Sequence, residues 1–233
     1  MEPATDTSED PYFTDDGLSD SIAPETDSDA LDIAFLQSSF TLAARDGWSR
    51  FSLVEAAKNA GLPLEVVRTH YPLKSMLLLR LGRLADESAL RDDGAGTLRE
   101  HLFDLLMRRL DVFQDYREGL RAVMHAVPYD PALGAILTGA TLDSIRWVAD
   151  AAGLDCTGLG GVWRINALGA VWGHALRAWE KDESPDLGST MAALDTALNK
   201  AERFGVLKAS ARRKLEDATR SSGLPDHELE LES

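Results

Sequence analysis

Five histidines and one cysteine are the residues of this chain best suited to metal or nucleophilic chemistry, and their spacing supports neither. His70, His101, His125, His174 and His227 form no HExxH or paired-ligand pattern, and none stands at a Cys-His interval from Cys156. The stretch Gly158-Leu-Gly-Gly has no lysine after it and no strand before it, so it reads as a loop and not as a phosphate cradle. No catalytic residue, metal ion or cofactor is expected, and the chain is not read as an enzyme. Binding chemistry is better represented. Trp147, Trp163, Trp172 and Trp179 are four of five tryptophans. With Met107, and with His125, Asn166 and His174 as polar groups, they could line a cavity for a small apolar ligand. Large aromatics at helical spacing also fill cores and dimer interfaces. Gly169, Ala170 and Gly173 beside Trp172 would let two helices approach closely, as a homodimer needs.

Charge is distributed unevenly. The formal net charge is -15, but residues 1–29 hold Glu2, Asp6, Glu9, Asp10, Asp15, Asp16, Asp20, Glu25, Asp27 and Asp29 with no Lys or Arg. Ten of the fifteen net charges therefore sit in one segment, which is too polar to offset its ordering entropy and is expected to be a disordered acidic tail. Between positions 45 and 83 the sign reverses. Arg45, Arg50, Lys58, Arg68, Lys74, Arg80 and Arg83 stand against Asp46, Glu55 and Glu65, which is seven minus three, or +4. A locally positive region on an acidic chain permits phosphate binding, since affinity for nucleic acid comes largely from neutralised phosphates and released counterions. A tail of opposite sign could shield that region.

The elements that must position these groups read as helices throughout, with no alternating strand pattern. Ile33, Leu36, Phe40 and Ala43 mark a first helix over about 30–45, ended by Gly47. Ser52 caps a short helix, Leu53 to Ala60, with Glu55 three residues on as in a capping box. Gly61 ends it, Pro63 opens another through about Tyr71, and Pro72 breaks the chain before a helix from about 73 to 90. This head, 30–91, is joined by Asp92–Gly96 to a bundle over 97–204. Its helices are expected near 97–113, 117–126, 131–152, 161–181 and 187–198. A weaker helix at 207–220 and a polar end from Ser221 complete 205–233. The single cysteine cannot close an internal disulfide and no leader-like stretch opens the chain, which predicts a cytoplasmic protein. No apolar run reaches the ~20 residues of a membrane span.

Residues 30–90 resemble the head of the tetracycline-repressor (TetR) family. The matching stretch is A-A-K-N-A-G-L-P-L-E-V-V-R-T-H-Y-P-L-K-S-M-L-L at 56–78. It runs in the family's order of short helix, Gly turn, recognition helix, aromatic-Pro-x-Lys and long apolar helix. The resemblance implies an all-α, TetR-like protein, with a three-helix helix-turn-helix head on a larger helical bundle domain. It implies a recognition helix in the DNA major groove and a homodimer formed through the last bundle helices. Thr69, His70 and Lys74 take the family's phosphate positions, Tyr71 packs the turn, and Ser52 and Arg68 complete the DNA-binding set. The head departs from the family's pattern at Pro63, Glu65 and Arg68, where a small capping residue, Gly and Tyr are usual. A carboxylate at Glu65 suits a cytosine amino group but repels phosphate.

Residues 97–204 also resemble the lipid-binding accessory proteins of ubiquinone (coenzyme Q) biosynthesis, which share the TetR fold. The matching stretches are L-R-E-H-L-F-D-L-L-M-R-R-L at 98–110 and W-E-K-D-E-S-P-D-L-G-S-T-M-A-A-L-D at 179–195. Physically, Asp182 to Asp186 is a helix stop and capped restart: Pro185 breaks the incoming helix, and Ser184 or Asp186 caps the outgoing one. That family's apolar membrane-facing helix has no counterpart, since Lys208 to Glu216 is strongly charged.

Two functions follow. One is a TetR-like transcriptional regulator that binds operator DNA as a dimer and responds to a small apolar ligand. The other is a carrier of an isoprenoid lipid that does not bind DNA. The regulator takes precedence, because the head motif is better kept than an abandoned DNA-binding head requires.

Overall fold

A computed structural model describes residues 23–91 and 96–222. Most of the acidic tail, positions 92–95 of the expected connection and the polar end from 223 lie outside the described residues. Ten α-helices form among the described ones: α1 Ala23–Asp46, α2 Leu53–Asn59, α3 Leu64–His70, α4 Met76–Ala89, α5 Leu98–Gln114, α6 Arg117–Ala126, α7 Pro131–Ala151, α8 Gly158–Lys181, α9 Gly188–Arg203 and α10 Ala211–Ser222. A 3-10 turn, Val127–Tyr129, precedes α7. The fold is all-α. No strand forms among the described residues, and one isolated antiparallel bridge joins Leu154 to Ala209.

Several boundaries differ from expectation for identifiable reasons. The first helix begins at Ala23, seven residues inside the segment expected to be a disordered tail. Its Asp29 and Asp32 both pair with Arg80 of α4, a long-range contact that local composition does not encode. Pro63 stands just before α3, with extended backbone. Leu73 to Ser75 form a turn, so α4 starts at Met76. Gly158 to Gly161 are the first turn of α8 and not a loop. There Gly161 is obligatory, because a Cβ would lie 2.1 Å from the carbonyl oxygen of Cys156.

At the α8–α9 break the acceptor is Asp182. Its carboxylate takes the backbone N–H and hydroxyl of Thr190, both at 2.8 Å, together with the N–H and hydroxyl of Ser184. Ser184 and Asp186 reach only the amide of Gly188. Those bonds to the charged form hold Asp182 far below the ordinary carboxylate range.

Two apolar clusters organise the molecule. One gathers Phe35, Phe40, Trp48, Phe51, Val67 and Tyr71 of the head with Tyr116, Val123 and Leu133 from beyond it. The other fills the bundle around Leu102, Leu106, Ile145, Leu168, Trp172 and Trp179. Head and bundle are thus packed on each other. They meet closely at Gly119 of α6, where a Cβ would lie 2.5 Å from the carbonyl oxygen of Phe40 in α1.

Candidate nucleic-acid interface and ligand cavity

The short helix α3 is held from both ends. Gly61, at φ +67°, turns the chain between α2 and α3 in a conformation that costs glycine little. Ala56, Ala57 and Val67 anchor the two helices in the head core, and the Ser38 hydroxyl donates to the Ala56 carbonyl at 2.8 Å. At the C-terminal end Tyr71 is buried against Phe35, ring centroids 4.8 Å apart. Its hydroxyl donates to Asp32 at 2.6 Å. Burial and that carboxylate push the phenol well above its ordinary pKa. Asp32 also accepts from Arg80 Nε at 2.5 Å, so α1, α3 and α4 are joined through one carboxylate.

Arg68, Thr69 and His70 are all exposed in the last turn of α3. Arg68 Nη1 donates to the Pro72 carbonyl at 2.6 Å, the Thr69 hydroxyl to Glu65 O at 2.9 Å, and His70 Nδ1 lies 3.0 Å from Val66 O. Each is steadied by backbone, and no carboxylate lies within ion-pair distance of Arg68 among the described residues. Glu65 is exposed on the same helix, and Leu73 beyond it is 64% exposed.

Of the six residues expected at DNA, Lys74, Tyr71 and Ser52 are engaged within the head. Lys74 turns inward: Nζ donates to the carbonyls of Trp48 at 3.0 Å and Phe51 at 2.8 Å, 4.1 Å from the Phe51 ring centroid. Burial there lowers its pKa. The turn between α1 and α2 ends in open carbonyls, and the ammonium satisfies them, which conflicts with a direct grip on phosphate. Tyr71 faces the core, as packing the turn requires. Ser52 accepts the Glu55 amide at 3.4 Å as the cap of α2. Two expected cations are also neutralised, Arg45 by Asp46 and Glu55, and Arg80 by Asp29, Asp32 and Glu87. Arg50, Lys58 and Arg68 carry the remaining positive charge of α2, α3 and the turn before them.

A cavity of about 340 Å³ opens between α4, α5, α6, α7 and α8. Apolar side chains dominate its wall, among them Leu78, Phe113, Val123, Leu137, Trp172 and Leu176. Against them stands Arg109 of α5, only 3% exposed. Its guanidinium lies 4.7 Å from the Trp172 ring centroid, and its Nε is 3.3 Å from Asp86 Oδ1 of α4. That oxygen already accepts the Ser144 hydroxyl at 2.5 Å. Burial pulls the Arg109 pKa below its ordinary value, with Asp86 opposing the shift.

Of the residues expected to line a cavity, Trp172 and Trp179 line this one. Met107 is partly buried in the bundle core, and His125 is an exposed side chain 3.4 Å from Glu180. Trp147 and Trp163 are 63% and 54% exposed. Asn166 donates to the Val162 carbonyl within its own helix. Trp163 and His174 border a shallow groove with Phe204 between α8 and α9. The outward face of α8 therefore holds what was expected inside. Arg109, Asp86 and Ser144 were missed. The available signal for the arginine was its place in an otherwise apolar stripe with Leu102, Leu106 and Phe113.

Among the described residues no group of His, Cys, Asp and Glu could hold a metal ion. Nor is any helix there long and apolar enough to cross a membrane.

No protein-family model matches the chain, and no curated protein does. Solved structures do. A TetR transcriptional regulator from Nitrosomonas europaea superposes with a TM-score of 0.62 at 20% identity, over 74% of this chain and 98% of that one. A TetR-family transcriptional regulator from Streptomyces coelicolor gives 0.51 at 14% identity, over 84% and 99%. With its helix-turn-helix head packed on a larger helical bundle, this chain has the fold of the TetR-family transcriptional regulators.

Proposed function

We propose that the protein is a DNA-binding transcriptional regulator that acts as a homodimer and responds to a small apolar ligand. The observation that carries this reading is the exposed trio Arg68, Thr69 and His70 at the end of α3, on a head whose Arg50, Lys58 and Arg68 make no ion pair among the described residues. Arg68 is the side chain suited to reading a guanine edge. Thr69 and His70 suit phosphate oxygens. The apolar outer face of α8 and α9, with Trp163, Ala170 and Phe204 exposed and nothing within 4 Å of a Cβ at Gly173, fits a close-packed partner copy.

Ligand response follows from where the cavity lies. Leu78, Gly82 and Asp86 of its wall belong to α4, the helix that follows α3 in the chain. A ligand that favours one position of α4 would bias the spacing of the two recognition helices in a dimer. A test is retention of a labelled duplex from the DNA upstream of its own gene, by the wild type and Arg68→Ala. Sequence-dependent retention by the wild type, weakened by the substitution, supports the reading; identical retention of unrelated duplexes by both speaks against it.

A second reading, a lipid carrier that does not bind DNA, is favoured by one observation. Lys74 is committed to backbone carbonyls where the repressor head would use it on phosphate. Co-purification of an isoprenoid lipid, with no duplex retained, would select that reading.

A further inference from the structure

Burying a guanidinium is costly unless its N–H groups find acceptors, because five donors leave water at once. Arg109 is buried, yet Nε and Nη1 have no hydrogen-bond partner among the described residues. The Asp86 carboxylate is near Nε but does not accept from it in hydrogen-bond geometry, and its Oδ1 is taken by Ser144. Trp172 holds the guanidinium plane from one side without supplying an acceptor. Beside this unsatisfied cation lies a cavity of about 340 Å³ with a mainly apolar wall. That size is within the ~300–1,000 Å³ range of small-molecule sites.

We propose that Arg109 recognises the carboxylate of an amphiphilic acid whose hydrocarbon body fills this cavity. A planar guanidinium and a carboxylate match in geometry, and the charge-assisted bonds between them are among the stronger ones available in a dry site. The same wall that makes Arg109 costly when empty strengthens that contact when the acid is bound, since water no longer screens it. Arg83 and Asp143 also border the cavity, and both are exposed. Their charges oppose each other in solvent, which leaves Arg109 and Asp86 as the interior charges. The ligand carboxylate supplies the acceptors that Asp86, engaged by Ser144, does not. The proposal rests on the ligand-responsive reading above and names the ligand's chemical class.

Isothermal titration of the full chain at neutral pH with decanoate and with decanol, two probes of the same chain length, tests it without DNA. Decanoate is expected to bind at least tenfold more tightly than decanol. Arg109→Gln is expected to remove that preference while decanol affinity stays within about threefold. Arg109→Lys, which keeps the charge and loses the fork, is expected to retain part of it and covers the case in which the glutamine variant does not fold. Leu176→Phe, which narrows the cavity, should weaken both probes together. An acid that binds the wild type no better than the alcohol overturns the proposal, as does a preference that survives in the folded Arg109 variants. Because no DNA is present, either result leaves the operator-binding reading to its own test.

Discussion

Asp86 on α4 and Arg109 on α5 face each other at 3.3 Å, carboxylate to guanidinium, at the edge of an apolar cavity. The contact ties α4, the helix that follows α3, to the cavity side of the bundle. Removing the carboxylate by Asp86→Asn leaves a buried cation without compensation and should cost about 3 kcal/mol in urea unfolding. Ser144→Ala, which removes one hydrogen bond to the same oxygen, should cost about 1.5 kcal/mol, the low end for a charged acceptor. Equal effects of the two would mean that the ion pair adds nothing beyond a neutral contact.

Tyr71→Phe deletes a 2.6 Å hydrogen bond to Asp32 while keeping the ring packed on Phe35. A bond to a charged acceptor contributes about 1.5–3 kcal/mol, so the variant should lose roughly 2 kcal/mol of stability. Arg80 stays on Asp32, which keeps the carboxylate compensated. Amide exchange in α3 should quicken more than in α8, since the bond anchors that helix.

Arg68 and Lys74 should separate cleanly. Lys74→Met removes donors from the carbonyls of Trp48 and Phe51, and should lower stability by about 1–2 kcal/mol. Arg68→Ala deletes an exposed side chain and should leave stability within about 0.5 kcal/mol while weakening duplex binding. Calorimetric unfolding and duplex titration of both variants would show whether stability and DNA affinity are divided in this way.

Gly119→Ala places a methyl where the Phe40 carbonyl oxygen is 2.5 Å away. The head and bundle must then separate, at an overpacking cost of about 1–3 kcal/mol. Gly173→Ala meets open space inside α8 and should raise monomer stability by about 0.5–1 kcal/mol, with any loss confined to self-association by sedimentation.

Asp182 gives a pH signature. Its folded pKa is depressed by four hydrogen bonds. The stability it contributes is therefore present above the ordinary carboxylate pKa and is lost as pH falls through the folded value. The stability gap between wild type and Asp182→Asn should be full at neutral pH and narrow steadily in acid. A gap that stayed constant with pH would assign those bonds no preference for the charged form.

Local signals were legible in the sequence and long-range ones were not. The Ser52 cap of α2, the Gly61 turn and the helix stop at Asp182 to Asp186 depend on neighbours a few residues apart, although Glu55 turns to Arg45 instead of closing a capping box and Asp182, not Ser184 or Asp186, takes the amide of Thr190. The tryptophans could have been sorted by helical phase. Trp163 and Trp172 are nine residues apart, which at 3.6 residues per turn puts them on opposite sides of α8. Trp172 and Trp179, seven apart, share a side, and those two line the cavity. Arg108 and Arg109 are identical by composition, yet Arg108 reaches the Ala89 carbonyl and is partly buried, whereas Arg109 faces the cavity. That difference is set by which α5 face meets α4 and α8. The inward turn of Lys74 likewise depends on carbonyls more than twenty residues earlier.

Titration of the chain's own upstream DNA across a salt series measures the central claim most directly. A dimer gripping phosphates through Arg50, Lys58, Thr69 and His70 should bind at low salt and lose at least about tenfold in affinity between about 50 and about 200 mM. An Arg68→Ala dimer should keep the salt slope and lose discrimination between duplexes. No complex at the lowest salt, where phosphate contacts are strongest, would contradict the account.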